Sequence, residues 1–133
     1  MKYLLDTNTC IYYLNGSHPK IVERILRLGP APLAVSSLTV AELYFGAARS
    51  ARSEANRRRV ALFASELTNL LFDNECAAHF GRLKAGTVGS ATPVPDFDLA
   101  IAATALAHGR TVVTNDRHFT LIAGLVLEDW LAS

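Results

Sequence analysis

The chain alternates short apolar runs with longer stretches of helical periodicity, and this alternation restricts the fold more than any other feature of the sequence. The apolar runs that have the length of buried strands lie at 2–5, 33–35, 111–114 and 125–127. The stretches that predict helices are 7–14, 19–28, 37–49, 53–70, 75–84 and 96–108. Because strands separated by helices pair in parallel, we predict an α/β fold whose central sheet is flanked by helices.

Cap residues and glycines set the expected ends of several elements. Ser36 or Ser37 is suited to cap one helix, and Ser53 is suited to cap the next. Gly109 follows the Ala-rich helix as a natural stop. With 133 residues and no linker, internal repeat or low-complexity tract, the sequence is expected to form a single domain over residues 1–133.

Acidic residues occur where the predicted strands stop or the predicted helices begin. Asp6 ends the first apolar run, and Asp116 follows the run at 111–114. Glu42 lies near the start of the helix after the second strand, and Asp98 lies near the start of the Ala-rich helix. Ligands of parallel sheets bind in the crevice outside the carboxyl ends of the strands. We therefore expect these four carboxylates, although far apart in the sequence, to meet in one pocket.

A cluster of carboxylates has a restricted chemistry. Side chains of like charge within a few ångströms repel each other, and some would hold a proton at neutral pH unless a cation were present. Hard divalent cations such as Mg²⁺ prefer oxygen ligands of this kind. Two such ions about 3.5–4 Å apart can stabilise the attacking and leaving oxygens of a phosphodiester displacement. The pattern thus predicts a metal site suited to nucleic-acid cleavage.

Each acid also has a local structural explanation. Asp6 could cap the helix that follows it, and Glu42 could form a capping box with Thr39. Asp98 lies in a first helical turn, where negative charge is favourable, and Asp116 could be a turn residue. These alternatives stay open one by one, but all four acids fall on the one sheet edge where sites form.

Composition indicates a globular chain without a membrane segment. Half of the residues are hydrophobic and 19% are charged. No apolar stretch approaches the roughly 20 residues needed to span a bilayer, and the N-terminus has no secretory pattern. The two cysteines, Cys10 and Cys76, suggest no disulfide framework. We therefore expect a cytoplasmic protein that does not bind membranes.

Other polar residues with suggestive positions are expected to be structural. Cys76 and His79 have a zinc-like spacing, but no second ligand pair accompanies them. Asp96, two residues before Asp98, is suited to cap the Ala-rich helix. We expect packing or surface roles for His79, His108 and His118.

Motifs along the whole chain resemble those of the PIN-domain ribonucleases, and most closely those of VapC, the toxin of VapBC toxin–antitoxin pairs. The matching segments are Leu4-Leu5-Asp6-Thr7-Asn8, 36–43, 96–103, 113–119 and the closing stretch 124–130. They keep the order and spacing of the family. The resemblance implies a compact, three-layer α/β/α PIN-like domain with a central, mainly parallel, twisted sheet.

The same resemblance implies a function. A protein of this type would be a Mg²⁺-dependent endoribonuclease, with Mn²⁺ as an alternative ion, that cuts single-stranded or loop RNA such as tRNA or rRNA. Cleavage would leave 5′-phosphate and 3′-hydroxyl ends and inhibit translation. A cognate VapB-type antitoxin would neutralise the toxin, which would be a homodimer. Operator DNA would be bound only through the antitoxin complex.

The resemblance also assigns roles to residues of this chain. The acidic quartet, which would be both catalytic and metal-binding, is Asp6, Glu42, Asp98 and Asp116. Asp6 and Asp98 would be direct metal ligands. Asn8 and Thr114 match polar motif positions that would orient the ligands or a water molecule.

A cluster of arginines is the least specific of the candidate sites. Formal net charge is only +1, but five of the thirteen basic residues lie within eleven positions. They are Arg49, Arg52, Arg57, Arg58 and Arg59. Guanidinium groups match phosphate geometry well, although a solvated helix face explains the cluster equally well. In the family this hairpin helps to form the homodimer and receives the antitoxin, so the arginines would contact RNA or the antitoxin.

Other functions remain open. A nuclease of the same metal chemistry could act on DNA or on structured nucleic acid, and a catalytically silent PIN domain could bind a partner or regulate. A phosphoacceptor receiver domain or a haloacid-dehalogenase-like phosphatase fits less well. The phosphatase motif requires a second acid where this chain has Asn8, and no lysine follows Lys84 to serve either scheme.

Overall fold

The computed structural model describes residues 2–132, and within them the chain forms a five-stranded sheet, six α-helices and one 3₁₀ helix. The strands are β1 (Tyr3–Leu5), β2 (Leu33–Ser36), β3 (Thr68–Leu70), β4 (Thr111–Val113) and β5 (Leu127–Glu128). The α-helices are α1 (Thr7–Asn15), α2 (Pro19–Leu28), α3 (Ser37–Arg49), α4 (Ser53–Glu66), α5 (Asn74–Thr87) and α6 (Asp96–His108). The 3₁₀ helix spans Arg117–Leu121.

The sheet is parallel throughout, with β1 at its centre. The strands lie in the order β3-β2-β1-β4-β5. Leu4 of β1 lies opposite Ala34 of β2 and Val112 of β4. The chain therefore extends the sheet first to one side of β1 and later to the other. This topology confirms the predicted parallel sheet, and it leaves a crevice at the carboxyl ends of β1 and β4, where the direction of extension reverses.

Side chains of the central strand serve two apolar clusters, one on each face of the sheet. Tyr3 and Leu5 belong to the cluster that α1 to α4 cover, whereas Leu4 belongs to the cluster that α5 and α6 cover. Successive strand residues point to opposite faces, so one short strand contributes to both cores. The predicted three-layer α/β/α arrangement is confirmed.

Local capping explains where two of the helices begin and end. The hydroxyl oxygen of Ser36 accepts a hydrogen bond of 3.1 Å from the backbone N–H of Leu38, so Ser36 caps α3 as predicted. Gly109 ends α6 in the left-handed region with φ of 63°, which favours glycine. The predicted cap at Ser53 is wrong, because α4 begins at that residue and Arg52 precedes it without a side-chain cap.

The predicted helix over 53–70 is wrong at its C-terminal end. Helix α4 ends at Glu66, and the edge strand β3 follows it. In β3, Thr68 and Asn69 are exposed and only Leu70 is buried, so no apolar run marks the strand. Parallel pairing with β2 holds this segment extended, so its tertiary neighbour decides its structure.

Other elements also differ from the prediction. Helix α5 continues past residue 84 to Thr87, so the following loop is shorter than the glycine content suggested. The last strand is Leu127–Glu128 rather than 125–127. The 3₁₀ helix after β4 was not predicted; the Asp116 carboxylate accepts a hydrogen bond from the backbone N–H of His118 and caps it.

Helix α6 buries more of its residues than any other helix in the described chain. Every residue from Leu99 to Ala105 is buried, because α6 packs between the sheet and α5. Only its first turn, which carries Asp96 and Asp98, approaches the carboxyl edge of the sheet. Within residues 2–132, no helix has the length and apolar character that crossing a membrane requires.

Substituting Leu4→Ala should destabilise the protein by about 2–5 kcal/mol, because it opens a cavity in the central strand, where Leu4 has no exposed surface. The matched control is Leu26→Ala at a residue that is 66% exposed, which should change the free energy of unfolding by less than about 0.5 kcal/mol. Urea unfolding of both variants measures this difference. Equal effects would contradict the placement of β1 at the centre of the core.

Candidate active site

A cavity of about 400 Å³ opens at the carboxyl edge of the sheet. Its lining consists of Asp6, Thr7, Asn8, Glu42, Pro95, Asp96, Phe97, Asp98, Asp116 and His118. We call it the acid cavity. Asp6 directly follows β1, Asp116 follows β4, and Glu42 and Asp98 come from α3 and from the first turn of α6. The fold thus brings together the four acidic side chains that the sequence singles out.

Asp6 is both a helix cap and a wall of the acid cavity. Its carboxylate accepts a hydrogen bond of 2.8 Å from the backbone N–H of Thr9, which caps α1. The side chain is buried, and burial raises the pKa of Asp6 above its ordinary value, while hydrogen bonds from Thr114 and Thr9 act in the opposite direction. The local explanation for Asp6 is therefore correct but does not account for its place in the cavity.

Glu42 is held in position by Thr7, a residue that no sequence pattern marks as part of the site. The Thr7 hydroxyl donates a hydrogen bond of 2.6 Å to Glu42 Oε1 and lies 3.2 Å from the Thr39 hydroxyl. A capping box between Thr39 and Glu42 does not form, because Ser36 caps α3. The Glu42 carboxylate is instead directed to the cavity by a contact between α1 and α3.

Asp98, Asp116 and His118 form a close group within the lining of the acid cavity. One carboxylate oxygen of Asp98, one of Asp116 and a ring nitrogen of His118 all lie within 4.8 Å of one another. Thr114 Oγ1 accepts a hydrogen bond of 2.9 Å from the Asp116 backbone N–H and so fixes the turn after β4. The group is drawn from two separate elements, α6 and the 3₁₀ helix.

Burial and electrostatic repulsion act together on Asp98. Burial, followed by the charge of Asp116, raises the pKa of Asp98 from 3.8 to about 6. Asp6 and Glu42 add to the increase, and His118 opposes it. The other three acids therefore lie close enough to Asp98 to disfavour its charge. A hard divalent cation fits this set of oxygen donors, because it would remove that repulsion.

Three other predicted residues have different environments. Asn8 lines the acid cavity with an exposed side chain. Thr114 is buried behind Asp6 and contacts its carboxylate. Asp96 does not cap α6, because Pro95 occupies the cap position; its carboxylate pairs with Lys84 Nζ at 3.2 Å instead.

The five arginines lie outside the acid cavity, and several have partners within the described chain. The Arg49 guanidinium lies over the Phe45 ring at 5.5 Å. Arg57 and Arg58 lie 2.6 Å and 3.8 Å from Glu54, and Arg59 donates a hydrogen bond to the Leu14 carbonyl. Arg52 lies just before α4.

The expectation of a packing or surface role is wrong for His118, which lines the acid cavity. The 3₁₀ turn after Asp116 folds His118 back toward α6, and the sequence carries no strong signal for such a turn. His79 contacts Arg82 at 3.1 Å, and His108 lies beside Asp73 and Cys76. The zinc-like spacing of Cys76 and His79 therefore does not correspond to a shared site.

Comparison with known proteins identifies relatives over the full length. The family model of the PIN domain matches residues 3–125. The tRNA(fMet)-specific endonuclease VapC of Salmonella typhimurium is 39% identical over 131 residues, which cover 98% of each chain.

The fold is similar to that of one chain in each of two solved complexes. A crystal structure of DNA-bound VapBC from Salmonella typhimurium contains a chain that aligns with a TM-score of 0.90 and 39% identity, covering 98% of each chain. A structure of VapBC2 from Rickettsia felis, bound to a DNA fragment from the promoter, aligns with a TM-score of 0.86 and 32% identity, covering 96% of this chain and 98% of the other.

Substituting Asp98→Asn should raise the melting temperature of the metal-free protein. Because the pKa of Asp98 is higher in the folded than in the unfolded protein, the free energy of unfolding falls as the pH rises from about 4 to 6. Asparagine does not ionise, so the variant avoids this loss. The gain at pH 7 should be about 1–3 kcal/mol, or roughly 3–10 °C, and should vanish below about pH 4. Thermal melts in chelator across this pH range provide the measurement.

The control for this experiment is Asp129→Asn, at an exposed carboxylate outside the acid cavity. It should show no comparable gain at pH 7. A melting temperature that falls in Asp98→Asn, or a gain that does not depend on pH, would contradict mutual repulsion at this site.

Proposed function

The chain belongs to the PIN-domain family, among the VapC-type ribonucleases, and from this we propose that it cuts RNA at the acid cavity as the toxin of a type II toxin–antitoxin system. The observation that carries the proposal is the meeting of Asp6, Glu42, Asp98 and Asp116 at the switch point of a parallel sheet. As a single domain over residues 1–133, the protein would act in the cytoplasm, a compartment that suits its two free cysteines.

A divalent metal ion is part of the proposal. Mg²⁺ is the expected ion and Mn²⁺ the alternative, with Asp6 and Asp98 as direct ligands and Glu42 and Asp116 completing the site. When bound, the metal would lower the pKa of an attacking water and offset charge on the departing oxygen. Proximity of four carboxylates supports this assignment, since their repulsion needs a positive charge nearby.

The protein's own contribution is positioning. The backbone N–H of Thr9 and the side chain of Thr114 hold the Asp6 carboxylate, and the Thr7 hydroxyl holds Glu42. These donors fix the direction of each carboxylate before substrate arrives, which lowers the reorganisation needed during reaction. Asn8, exposed at the cavity wall, is placed to donate a hydrogen bond to a backbone phosphate or a water molecule.

Unpaired RNA is the proposed substrate. The acid cavity lies at the sheet edge, and its wall carries the Phe97 ring, which is 46% exposed. Exposed aromatic rings stack on unpaired bases, and unpaired backbone can bend into a pocket that a rigid duplex cannot enter. The Salmonella typhimurium relative is specific for tRNA(fMet). A loop of tRNA or rRNA is therefore the substrate that we propose here.

An apolar groove beside the acid cavity is the proposed antitoxin site. The groove has a volume of about 260 Å³ between α1, α3 and α4. Its lining consists of Ile11, Leu14, Asn15, Glu42, Leu43, Gly46, Ala47, Ser50, Asn56, Arg59 and Val60. We call it the α3 groove. An amphipathic segment of a VapB-type antitoxin would lay its apolar face there, and Glu42 belongs to both the groove and the cavity.

The hairpin formed by α3 and α4 also carries the residues that we propose for contacts with a second copy of the chain, with RNA and with the antitoxin. Phe45 and Leu62, each 63% exposed, are proposed to be covered in a homodimer. Of the five arginines, Arg59 lines the α3 groove and would meet the antitoxin, while the others are available to the antitoxin or RNA. Two relatives of known structure are VapBC complexes bound to DNA. Operator DNA is therefore proposed to bind only through the antitoxin complex.

The wild-type protein with Mg²⁺ should cleave a stem-loop RNA within its loop and should leave a DNA oligonucleotide of the same sequence intact. Asp98→Asn should reduce the cleavage rate by about 100-fold or more, because a ligand of the reacting centre is lost. Asp129→Asn should cleave normally. Gel electrophoresis and mapping of the 5′-phosphate ends give both rates and positions.

Two results would overturn this assignment. Preferential cleavage of the DNA oligonucleotide would favour a DNA-directed nuclease, and metal binding without cleavage of any RNA would favour a catalytically silent domain. The search for cleavage also includes intact tRNA and rRNA as substrates. A failure to cut the short stem-loop alone therefore does not show that the domain is catalytically silent.

Substituting Gly46→Leu should weaken binding of the VapB-type antitoxin by about tenfold or more. The leucine side chain would occupy the α3 groove, and such overpacking costs about 1–3 kcal/mol of binding free energy. A Cβ added at Gly46 would meet no atom within 4 Å, so the variant should fold. Gly81→Leu, on α5 and equally open, is the matched control. Calorimetric titration with the antitoxin measures affinity, and equal affinities for the two variants would exclude the α3 groove.

A further inference from the structure

The ring of His118 holds a buried nitrogen that makes no hydrogen bond within the described chain. Its Nδ1 has almost no exposed surface and makes no hydrogen bond. The same atom lies 3.2 Å from Asp116 Oδ1 and 3.6 Å from Asp98 Oδ2. The side chain as a whole is 43% exposed, so its exposed surface belongs to the rest of the ring. An orphaned nitrogen between two carboxylates needs a physical explanation.

The position of the ring is built by the backbone. The Asp116 carboxylate accepts a hydrogen bond of 2.9 Å from the backbone N–H of His118 and caps the 3₁₀ helix. Thr114 Oγ1 accepts a hydrogen bond from the Asp116 backbone N–H. These two bonds set the turn that carries the imidazole over the acid cavity. The next residue, Phe119, is 1% exposed and anchors this turn in the core.

We propose that His118 Nδ1 is a metal ligand alongside Asp98 and Asp116, and that it raises the affinity of this centre for Mn²⁺ more than its affinity for Mg²⁺. The proposal rests on the proposed function, since it concerns the metal of the same cavity. The three ligand atoms lie within 4.8 Å of one another. Both ions bind carboxylates well, but the transition-metal ion Mn²⁺ accepts an imidazole nitrogen more readily than Mg²⁺, which favours oxygen ligands and gains little from a nitrogen.

A hydrogen-bonding role explains the geometry less well. A neutral ring whose Nδ1 lone pair faces two carboxylates is repelled by them. A protonated ring would pair with both carboxylates, at 3.2 Å and 3.6 Å, but neither contact is a hydrogen bond. A cation between the three atoms would turn this repulsion into three favourable contacts. The orphaned nitrogen and the crowded carboxylates then have one common explanation.

Electron paramagnetic resonance of bound Mn²⁺ tests the proposal directly. Wild-type protein loaded with Mn²⁺ should show a ¹⁴N coupling in electron spin-echo envelope modulation, and His118→Gln should lose it. Titration of free Mn²⁺ should show that the variant binds Mn²⁺ about tenfold or more weakly, with the Mg²⁺ affinity changed by less than about threefold. His79→Ala, at a ring that contacts Arg82 outside the cavity, should keep both properties.

Several results would overturn the proposal. Absence of the ¹⁴N coupling in the wild type, or an equal loss of Mn²⁺ and Mg²⁺ affinity in His118→Gln, would exclude a nitrogen ligand. His118→Ala is measured in parallel, and thermal melts identify any loss of folding. If Asp98→Asn leaves Mn²⁺ binding unchanged, the acid cavity itself is not the metal centre and the proposed function fails. Loss of only the ¹⁴N signal would leave that function intact.

Discussion

Repulsion among four carboxylates at one sheet edge is the constraint on which the rest of this structure depends. Parallel pairing places the ends of β1 and β4 side by side, and the turn that Thr114 fixes after β4 carries Asp116 toward the same edge as Asp6. Burial and neighbouring charge raise the pKa of Asp98 to about 6. Hydrogen-bond donors offset part of this cost without removing it. A site that is unfavourable when empty is favourable for a divalent cation.

The predictable part of the fold and of the site comes from features that are local in the sequence. The apolar runs of β1, β2 and β4 are buried on both faces, and Asp6 is tied to the edge because it directly follows a strand. Strand β3 escaped prediction because its exposed residues take their conformation from β2. His118 escaped because its place in the cavity depends on a single capped turn.

The acid cavity and the α3 groove share one residue, and this links catalysis to partner binding in physical terms. Glu42 lines both surfaces, and Thr7 holds its carboxylate from α1. A segment seated in the α3 groove would therefore contact a member of the acidic quartet. The two surfaces differ in character, one apolar and one strongly acidic, so an occupant with an apolar face and a positively charged end would complement both.

Anomalous diffraction from a crystal soaked in Mn²⁺ tests the central claim most directly, because it locates the ion without reference to activity. The account predicts an anomalous peak inside the acid cavity, within bonding distance of Asp6 and Asp98 and bordered by Glu42 and Asp116. A crystal in which these carboxylates are ordered, and in which Mn²⁺ at saturating concentration binds elsewhere or not at all, would contradict it.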